Sequence, residues 1–282
     1  MNEMKRTADA QELERFIASL QENEKSRHTL EKYRRDNLLF LAFCGDRPLD
    51  KTLVLEYKNM LRGRYKTASV NSMLAATNHF LRFLGREDCR VSAVKVQRRL
   101  FCEEREALSK EEYRRLLHTA RQRGDQRLYL ILQTLCGTGI RVSELAYITV
   151  RTVRAGRAVV ECKNKQRVIL IPKPLQAHLL RYSIQTGVKS GPLFTEKKGA
   201  PLTRTKIWRM MKRLSVQAGV DPAKVFPHNL RHLFARTFYQ AQHDIVRLAD
   251  LLGHSSIETT RIYLLTSARE CFRQIAGLGL IT

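Results

Sequence analysis

The segment from Phe226 to Phe234 carries two histidines and an arginine at helical spacing. Side chains three or four residues apart share one face of a helix, so His228, Arg231 and His232 are expected on the same face. The apolar side chains between them would form the opposite, core-facing side. Two imidazoles beside a guanidinium provide a site for an anion, because arginine offers a planar fork that matches phosphate oxygens. A solvated polar face is the alternative interpretation.

A second group of polar residues lies near the carboxyl end, between Leu251 and Tyr263. Gly253 is typical of a residue that ends a helix, and a new helix is expected soon after it. His254 would therefore lie in a tight corner between two helices, with Tyr263 two turns into the second one. A lone histidine or tyrosine is more often a packing residue. A histidine fixed directly ahead of a helix that bears a phenol is a less ordinary arrangement.

Two further segments carry candidate cations. The glycine-rich break at 137–139 places Arg141 at the start of a helix, with Glu144 three residues later. Farther along, Lys163 and Lys165 belong to a polar loop between two apolar, β-branched runs, which predicts a hairpin. The alternatives are a surface arginine with a helix cap and an ordinary polar turn.

The overall composition favours a polyanionic partner. The 282 residues include 51 Lys and Arg against 27 Asp and Glu, a formal net charge of +24. Each phosphate that a cation neutralises releases a counterion, so nucleic acid would benefit from this excess. An enzyme of small metabolites is disfavoured, and a merely soluble cationic surface is the alternative. The six cysteines form no C-x-x-C pair, which disfavours a zinc motif or a disulfide scaffold and fits a reducing cytosol.

The chain shows no sign of export or membrane insertion. Its amino terminus meets acidic residues before any apolar run, unlike a signal peptide. No stretch approaches the roughly 18 uncharged apolar residues that span a bilayer. We therefore expect a cytoplasmic protein with no membrane partner.

A mainly helical chain with one small β-sheet must position these candidates. Four helices with short loops are expected within 1–88, where capping residues precede runs of helical periodicity, and they would form a compact bundle. Periodicity is lost and charge increases through 89–106, which we interpret as a linker. Residues 107–282 form the second domain. Its strands are expected at 158–162 and 168–171 around the loop 163–166, and its later helices at 203–218, 228–241, 244–252, 256–264 and 267–276.

Together, these segments resemble the tyrosine recombinase (phage integrase) family, particularly its Xer-type members. The matching stretches are the hairpin lysine, Thr138-Gly-Ile-Arg-Val-Ser-Glu-Leu145, Pro227-His-Asn-Leu-Arg-His232 and Leu252-Gly-His-Ser-Ser-Ile-Glu-Thr-Thr-Arg-Ile-Tyr263. Each is weak alone, but their order, spacing and distance from the carboxyl end agree with the family pattern. The resemblance covers essentially the whole chain. It implies a helical, SAM-like core-binding domain at 1–88 and a catalytic domain at 107–282.

The resemblance implies that Tyr263 attacks a DNA phosphodiester and retains the broken strand as a 3′-phosphotyrosine. Cationic neighbours would favour the phenolate, since a free phenol, with a pKa of about 10, is a poor nucleophile at neutral pH. A lysine would protonate the leaving 5′-oxygen, and histidines would orient the phosphate and manage protons. The implied catalytic set is Arg141, Lys165, His228, Arg231, His254 and Tyr263, with Glu144 and His232 as supporting residues.

The hairpin departs from the family pattern, in which glycines commonly surround the lysine. Here the segment reads Cys162-Lys-Asn-Lys-Gln-Arg167, which leaves Lys163 and Lys165 as rivals. We prefer Lys165, because Asn164 and Lys165 align with the family's usual residues before the arginine and the following strand.

The resemblance further implies double-stranded DNA recombination sites as partners and a homotetramer on two sites, with or without a second recombinase. Strand exchange through a Holliday junction would serve integration, excision, inversion or dimer resolution. No cofactor, ATP or catalytic metal is implied, because the phosphotyrosine bond keeps the energy of the broken strand. The helix 267–280 would dock on a neighbouring subunit through Ile275, Leu278 and Leu280, or pack within its own chain.

The helix 203–218 is a candidate DNA contact, because it pairs an apolar face with a basic one. Arg204, Lys206 and Arg209 would reach the DNA, and a basic face more often contacts phosphates than bases.

Two other functions could use a similar set of residues. A type IB topoisomerase uses a similar set of Arg, Lys, His and Tyr residues, but the short two-domain chain and the Leu-Gly-His motif favour the recombinase. A non-catalytic DNA-binding regulator of the same fold would have no need of Tyr263.

Overall fold

The computed structural model describes residues 9–95, 107–162, 165–196, 199–254, 256–264 and 268–278, with the backbone alone at 162, 165, 268–270 and 274. The chain divides into two units, Met1–Arg98 and Arg99–Thr282. Helices dominate both units, and the paired strands β1 and β2 lie in the second. The expected fold class, mainly α with a small β-sheet, is confirmed.

Of the four helices described in the first unit, the first three follow a residue whose side chain caps them. Asp9 and Glu12 form the expected capping box, and Ser26 and Asp50 accept hydrogen bonds from the first turns of later helices. Large aromatic side chains fill the space between the helices, and Tyr57 and Phe80 are fully buried. The helices are α1 (Ala10–Glu22), α2 (Arg27–Cys44), α3 (Lys51–Arg64) and α4 (Thr67–Phe83), with a 3₁₀ turn at Glu87–Cys89.

The residues directly after this bundle pack against its core. Cys89 and Val91 are buried with the apolar side chains of the first unit, and Val94 packs beside them. Asn78 and Asn71 hold this segment through hydrogen bonds with the backbone of Val91 and Val94. The contacts of residues 89–94 are therefore those of the first unit.

The second unit begins with helices that enclose its core and continues into the helices of the candidate site. Leu130, Ile131 and Leu135 of the second helix are fully buried at its centre, as are Leu179 and Leu230 from later helices. The elements up to the hairpin are α5 (Lys110–Gln122), α6 (Gln126–Thr138), a 3₁₀ turn (Val142–Tyr147), α7 (Val150–Ala155), β1 (Arg157–Cys162) and β2 (Lys165–Leu170). The later elements are α8 (Lys173–Gln185), α9 (Arg204–Gln217), α10 (Pro227–Gln242), α11 (Ile245–Leu252), α12 (Ile257–Arg261), a 3₁₀ turn (Ile262–Leu264) and α13 (Ala268–Ala276).

The hairpin is longer than its apolar runs predict. β1 and β2 pair antiparallel from Arg157 opposite Leu170 to Cys162 opposite Lys165. The expectation of a loop over 163–166 is therefore wrong for its second half, because Lys165 begins β2. Backbone pairing extends the strand through polar residues that the apolar pattern does not reveal.

The carboxyl-terminal region differs from a simple series of long helices. The expected helix 256–264 is divided into α12 and a 3₁₀ turn, and Tyr263 lies in that turn. The helix expected over 267–280 is observed as α13, and Leu280 lies outside the described residues. Ile275 and Leu278 are largely exposed, as is Phe272. Within the described part of the chain, no helix is long and apolar enough to cross a membrane.

Candidate active site

Helix α10 brings the first group of candidate residues into the second unit. Pro227 begins the helix, where its missing N–H costs no hydrogen bond, and His228, Arg231 and His232 follow. The rings of His228 and His232 are perpendicular neighbours with centroids 4.8 Å apart, which confirms that they share a face.

Arg231 is almost completely buried, with 1% of its surface exposed. Its Nη1 donates to the carbonyl oxygen of Gly139 at 2.6 Å, and its Nη2 donates to that of Leu252 at 2.7 Å. Burial, and after it the charge of Arg141, lowers the pKa of Arg231 to about 10. The side chain therefore remains cationic at neutral pH, and two carbonyl oxygens partly replace the water that it has lost.

The carbonyl of Gly139 reaches Arg231 because glycine ends α6. Gly139 has a left-handed backbone with φ of +62°, and a Cβ there would lie 2.4 Å from Cδ1 of Phe234 in α10. Only glycine combines that backbone with so close an approach of the two helices.

His254 lies in the predicted corner after Gly253, and its contacts define its tautomer. Its Nε2 is 2.8 Å from Nη2 of Arg231, and its Nδ1 is 2.8 Å from Oγ1 of the buried Thr260. Arginine can only donate, so Nε2 is the acceptor and Nδ1 carries the proton that is donated to Thr260. Burial, followed by the charges of Arg231 and Arg141, lowers the pKa of His254 to about 4. The ring is therefore neutral at neutral pH.

Tyr263 lies among three imidazoles and is 6% exposed. Its ring stacks on that of His254, with centroids 5.3 Å apart and an angle of 7° between the planes. The centroid of the His232 ring is 4.2 Å from that of Tyr263. The phenolic oxygen lies 3.4 Å from Nε2 of His228. The surrounding rings thus fix the phenol and direct its hydroxyl toward His228.

The electrostatics of the site keep its imidazoles neutral. Burial, then electrostatic interactions with His228 and Arg236, lowers the pKa of His232 to about 3. The pKa of His228 is also lowered, first by partial burial and then by Arg231, Arg141 and Arg204. Each neutral ring keeps one nitrogen able to accept a proton or a hydrogen bond.

Arg141 and Glu144 cap the start of the 3₁₀ turn Val142–Tyr147. One carboxylate oxygen of Glu144 accepts from the backbone N–H of Arg141 at 2.8 Å, and the other accepts from its Nη1 at 3.0 Å. Glu144 is buried, whereas 39% of the Arg141 side chain is exposed. Glu144 therefore orients a cation that remains open to a ligand.

The remaining candidate residues lie in β2 and α9. Lys165 is the first residue of β2, and its rival Lys163 lies outside the described residues. In α9, Arg204 and Arg209 are exposed, whereas Nζ of Lys206 pairs with Glu196 at 3.0 Å. Arg204 is close enough to the site to lower the pKa of His228. Among the residues that the structure describes, no three His, Cys, Asp or Glu side chains are grouped so that they could hold a metal ion.

Two residues of the site were missed by sequence reasoning, Thr260 and Arg167. Thr260 fixes the tautomer of His254, and no sequence signal distinguishes it from its neighbour Thr259. Arg167 pairs with Glu144 and donates to the carbonyl of Leu252. The sequence does contain a sign of Arg167, because this cation lies two residues before the buried Ile169 and therefore on the same face of β2. A cation at such a position requires partners.

Comparisons with known proteins agree with this architecture. Residues 106–270 match the model of the phage integrase family, and residues 13–88 match that of its N-terminal SAM-like domain. The tyrosine recombinase XerA of Thermococcus kodakarensis is 33% identical over 262 residues, 89% of this chain and 89% of the relative. XerA of Pyrococcus furiosus is 31% identical over 98% of this chain and 96% of its own length.

Solved structures with lower identity share the fold. The XerH site-specific recombinase bound to its difH substrate, in a pre-cleavage complex, has a TM-score of 0.69 and 20% identity, with coverage of 97% of this chain and 86% of that chain. A lambda integrase tetramer bound to a Holliday junction has a TM-score of 0.73 and 21% identity, over 90% and 76% of the two chains. Both family models and full-length relatives therefore agree that the chain belongs to the phage integrase family and is a tyrosine recombinase of Xer type.

Proposed function

We propose that this chain performs site-specific DNA recombination, in which Tyr263 cleaves a strand and holds its 3′ end as a phosphotyrosine. One observation carries this proposal. The Tyr263 hydroxyl faces a neutral His228, while its ring stacks on a histidine that is bonded to a buried arginine. A tyrosine that acts as a nucleophile needs a proton acceptor and cationic groups near its hydroxyl. A tyrosine that only fills space in the core does not need them.

The arginines would bind the scissile phosphate. A phosphodiester is anionic, and its negative charge grows as the phenol attacks, so preorganised cationic donors lower the barrier. Arg141 is partly exposed and oriented by Glu144, and Nε of Arg231 has no hydrogen-bond partner. Loss of one such donor typically costs about 10²–10³ in rate.

His228 is the proposed acceptor of the phenolic proton. The Nε2 atom of His228 lies 3.4 Å from the Tyr263 oxygen, and the lowered pKa of the ring keeps it neutral. His254 is less suited to this step, because its Nε2 already accepts from Arg231. We assign His254 to phosphate orientation through Arg231, and we assign His232 to the support of the Tyr263 ring.

The chemistry balances without an external energy source. The Tyr263 oxygen bonds to phosphorus, the bond from phosphorus to the 5′-oxygen breaks, and Lys165 supplies the proton that the 5′-oxygen requires. The 5′-hydroxyl of another strand can then attack the phosphotyrosine and release the phenol. The energy of the original bond is retained throughout, which makes ATP unnecessary.

The assembly proposed for the reaction is a homotetramer on two double-stranded DNA sites, acting through a Holliday junction in the cytoplasm. The XerH and lambda integrase complexes support DNA binding and a tetramer by analogy of fold. Residues 1–88 and 107–282 would both contact the duplex. The exposed apolar side chains of Phe272 and Ile275 in α13, with Leu278 just after it, would dock on a neighbouring subunit.

Helix α9 would contribute phosphate contacts next to the active site. Arg204 and Arg209 are exposed and available, whereas Lys206 must first leave Glu196. We therefore expect Arg204→Ala and Arg209→Ala to weaken DNA binding more than Lys206→Ala.

The experiment that tests this function uses a duplex selected by the chain from a randomised pool, and then nicked so that cleavage releases a short fragment. Release of the fragment prevents religation and traps the adduct. The wild-type chain should become covalently attached, whereas Tyr263→Phe should bind the duplex and give no adduct. A trapped adduct in Tyr263→Phe would place the nucleophile elsewhere.

A second assay separates recombination from DNA relaxation. Plasmids with two copies of the selected site should yield recombinants, whereas a type IB topoisomerase would relax supercoils without recombinant product and a regulator would do neither. The chain's relatives are named as recombinases, which supports recombination over relaxation or regulation.

A further inference from the structure

We propose that Arg167 is a positioning residue that joins the two halves of the phosphate site, an inference that rests on the function proposed above. One half is the Arg141 and Glu144 cap, and the other is the corner from Leu252 to His254. Arg167 lies in β2, two residues after Lys165, and contacts both halves with one guanidinium.

The contact with the first half is an ion pair with a buried carboxylate. Nη2 of Arg167 lies 3.0 Å from Oε2 of Glu144, and the side chains are 9% and 5% exposed. The same Oε2 atom accepts from the backbone N–H of Arg141. Leaving a buried carboxylate without a cationic partner costs free energy. The orientation of the Glu144 side chain is therefore set by Arg167 as well as by Arg141.

The contact with the second half is a shared carbonyl. Nη1 of Arg167 donates to the carbonyl oxygen of Leu252, the same atom that accepts from Nη2 of Arg231. His254 follows two residues later and is itself bonded to Arg231. Two guanidinium groups therefore converge on one carbonyl oxygen, and Arg167 helps to hold the corner in place.

The glycine in the corner gives independent support. Gly253 has φ of +64°, and a Cβ at this position would lie 2.3 Å from Cδ of Arg167. The corner is thus shaped around the Arg167 side chain as well as bonded to it. A residue that only filled space would not need two polar contacts.

Substitution of a positioning residue should affect catalysis differently from substitution of a residue that only packs. Only 9% of the Arg167 side chain is exposed, so little of it is open to DNA and DNA affinity should be retained. The phosphate ligands would shift slightly without it, and a displacement of about 1 Å in a catalytic group can cost about a hundredfold in rate. We therefore expect a defect in the cleavage step and in the binding of a small phosphate.

The variants are Arg167→Met, which keeps the length of the side chain, Arg167→Lys, which keeps the charge, and Gly253→Ala, which displaces Arg167 without removing it. Arg157→Met is the matched control, because Arg157 is an exposed arginine at the other end of the same hairpin. Thermal unfolding of each full-length variant identifies any general loss of structure.

The first readout is single-turnover cleavage of the nicked selected duplex, beside the dissociation constant for the intact duplex. Arg167→Met should slow cleavage by about tenfold to a hundredfold and change the dissociation constant by less than about threefold. Arg167→Lys should recover only part of the rate, because a compact ammonium lacks the planar fork with which the guanidinium reaches both acceptors. Arg157→Met should cleave at the wild-type rate. Gly253→Ala should reproduce the cleavage defect.

The second readout needs no DNA cleavage. Inorganic phosphate is titrated into the DNA-free chain while the ring resonances of His228 and His254 are followed by NMR. Phosphate should bind several-fold more weakly to Arg167→Met than to Arg157→Met.

Each outcome decides the inference. Equal cleavage and equal phosphate binding in Arg167→Met and the wild-type chain would overturn it, as would a loss confined to thermal stability or DNA affinity. If the wild-type chain forms no adduct, the proposed function fails, and the phosphate titration still decides the role of Arg167.

Discussion

The hydrogen bond between His254 and Thr260 permits a sharp test of the active-site electrostatics. Thr260→Val removes the hydroxyl and keeps the shape of the side chain. Thr260 is fully buried, and its Oγ1 accepts the Nδ1 proton of His254 at 2.8 Å. The variant therefore leaves a donor unpaired in a largely enclosed site.

The magnitude follows from that contact. A buried donor left without a partner costs about 1–3 kcal/mol, so the free energy of unfolding should fall by about this amount. The Nδ1-protonated tautomer, whose Nε2 accepts from Arg231, should lose about 1 kcal/mol of this stabilisation. An equal rise in the barrier to cleavage would slow the reaction by roughly fivefold. Thr259→Val is the matched control, because Thr259 is the exposed neighbour and its substitution should change stability by less than about 0.5 kcal/mol.

The assays are urea unfolding, single-turnover cleavage and ¹⁵N NMR of the His254 ring. The wild-type chain should show a neutral ring protonated on Nδ1, and Thr260→Val should show a growing share of the other tautomer. A wild-type ring protonated on Nε2, or a Thr260→Val variant indistinguishable from Thr259→Val, would refute the assigned hydrogen-bond direction.

Three further predictions concern the hairpin, the charge and the histidines. Lys165→Ala should impair cleavage far more than Lys163→Ala, as measured by adduct formation, and the reverse result would assign the acid to Lys163. Binding to the selected duplex should weaken steeply as salt rises, because many phosphate contacts release counterions; a nearly flat salt response in a filter-binding titration would contradict this. The pKa of His254 is lowered to about 4, below the value of about 6.5 of an unfolded histidine, so the unfolded chain takes up more protons between these values. Stability should therefore fall as the pH drops from about 6.5 toward 4, and urea midpoints should show a smaller fall in His254→Asn; an identical pH profile would show that His254 does not contribute.

Much of the fold could be predicted because the signals are local. The capping box of Asp9 and Glu12 lies within four residues, as does the cap formed by Arg141 and Glu144. Helical spacing alone brings His228 and His232 together. In each case the interacting groups are close in sequence, so the pattern contains the contact.

Contacts between distant segments could not be predicted in the same way. Arg167 meets Leu252 across 85 positions, and Arg231 meets Gly139 across 92. The start of β2 at Lys165 is likewise fixed by pairing with β1 and not by apolar periodicity. The sequence therefore indicates which residues have side chains suited to phosphate chemistry. The fold determines which of them share a carbonyl or a carboxylate as a hydrogen-bond partner.

The most direct test of strand cleavage by Tyr263 is to locate the trapped nucleotide on the protein. The wild-type chain is reacted with the nicked selected duplex, digested with nuclease and protease, and sequenced by tandem mass spectrometry. We expect a nucleotide joined through its 3′-phosphate to the phenolic oxygen of Tyr263. A nucleotide on any other side chain, or a link through a 5′-phosphate, would contradict it.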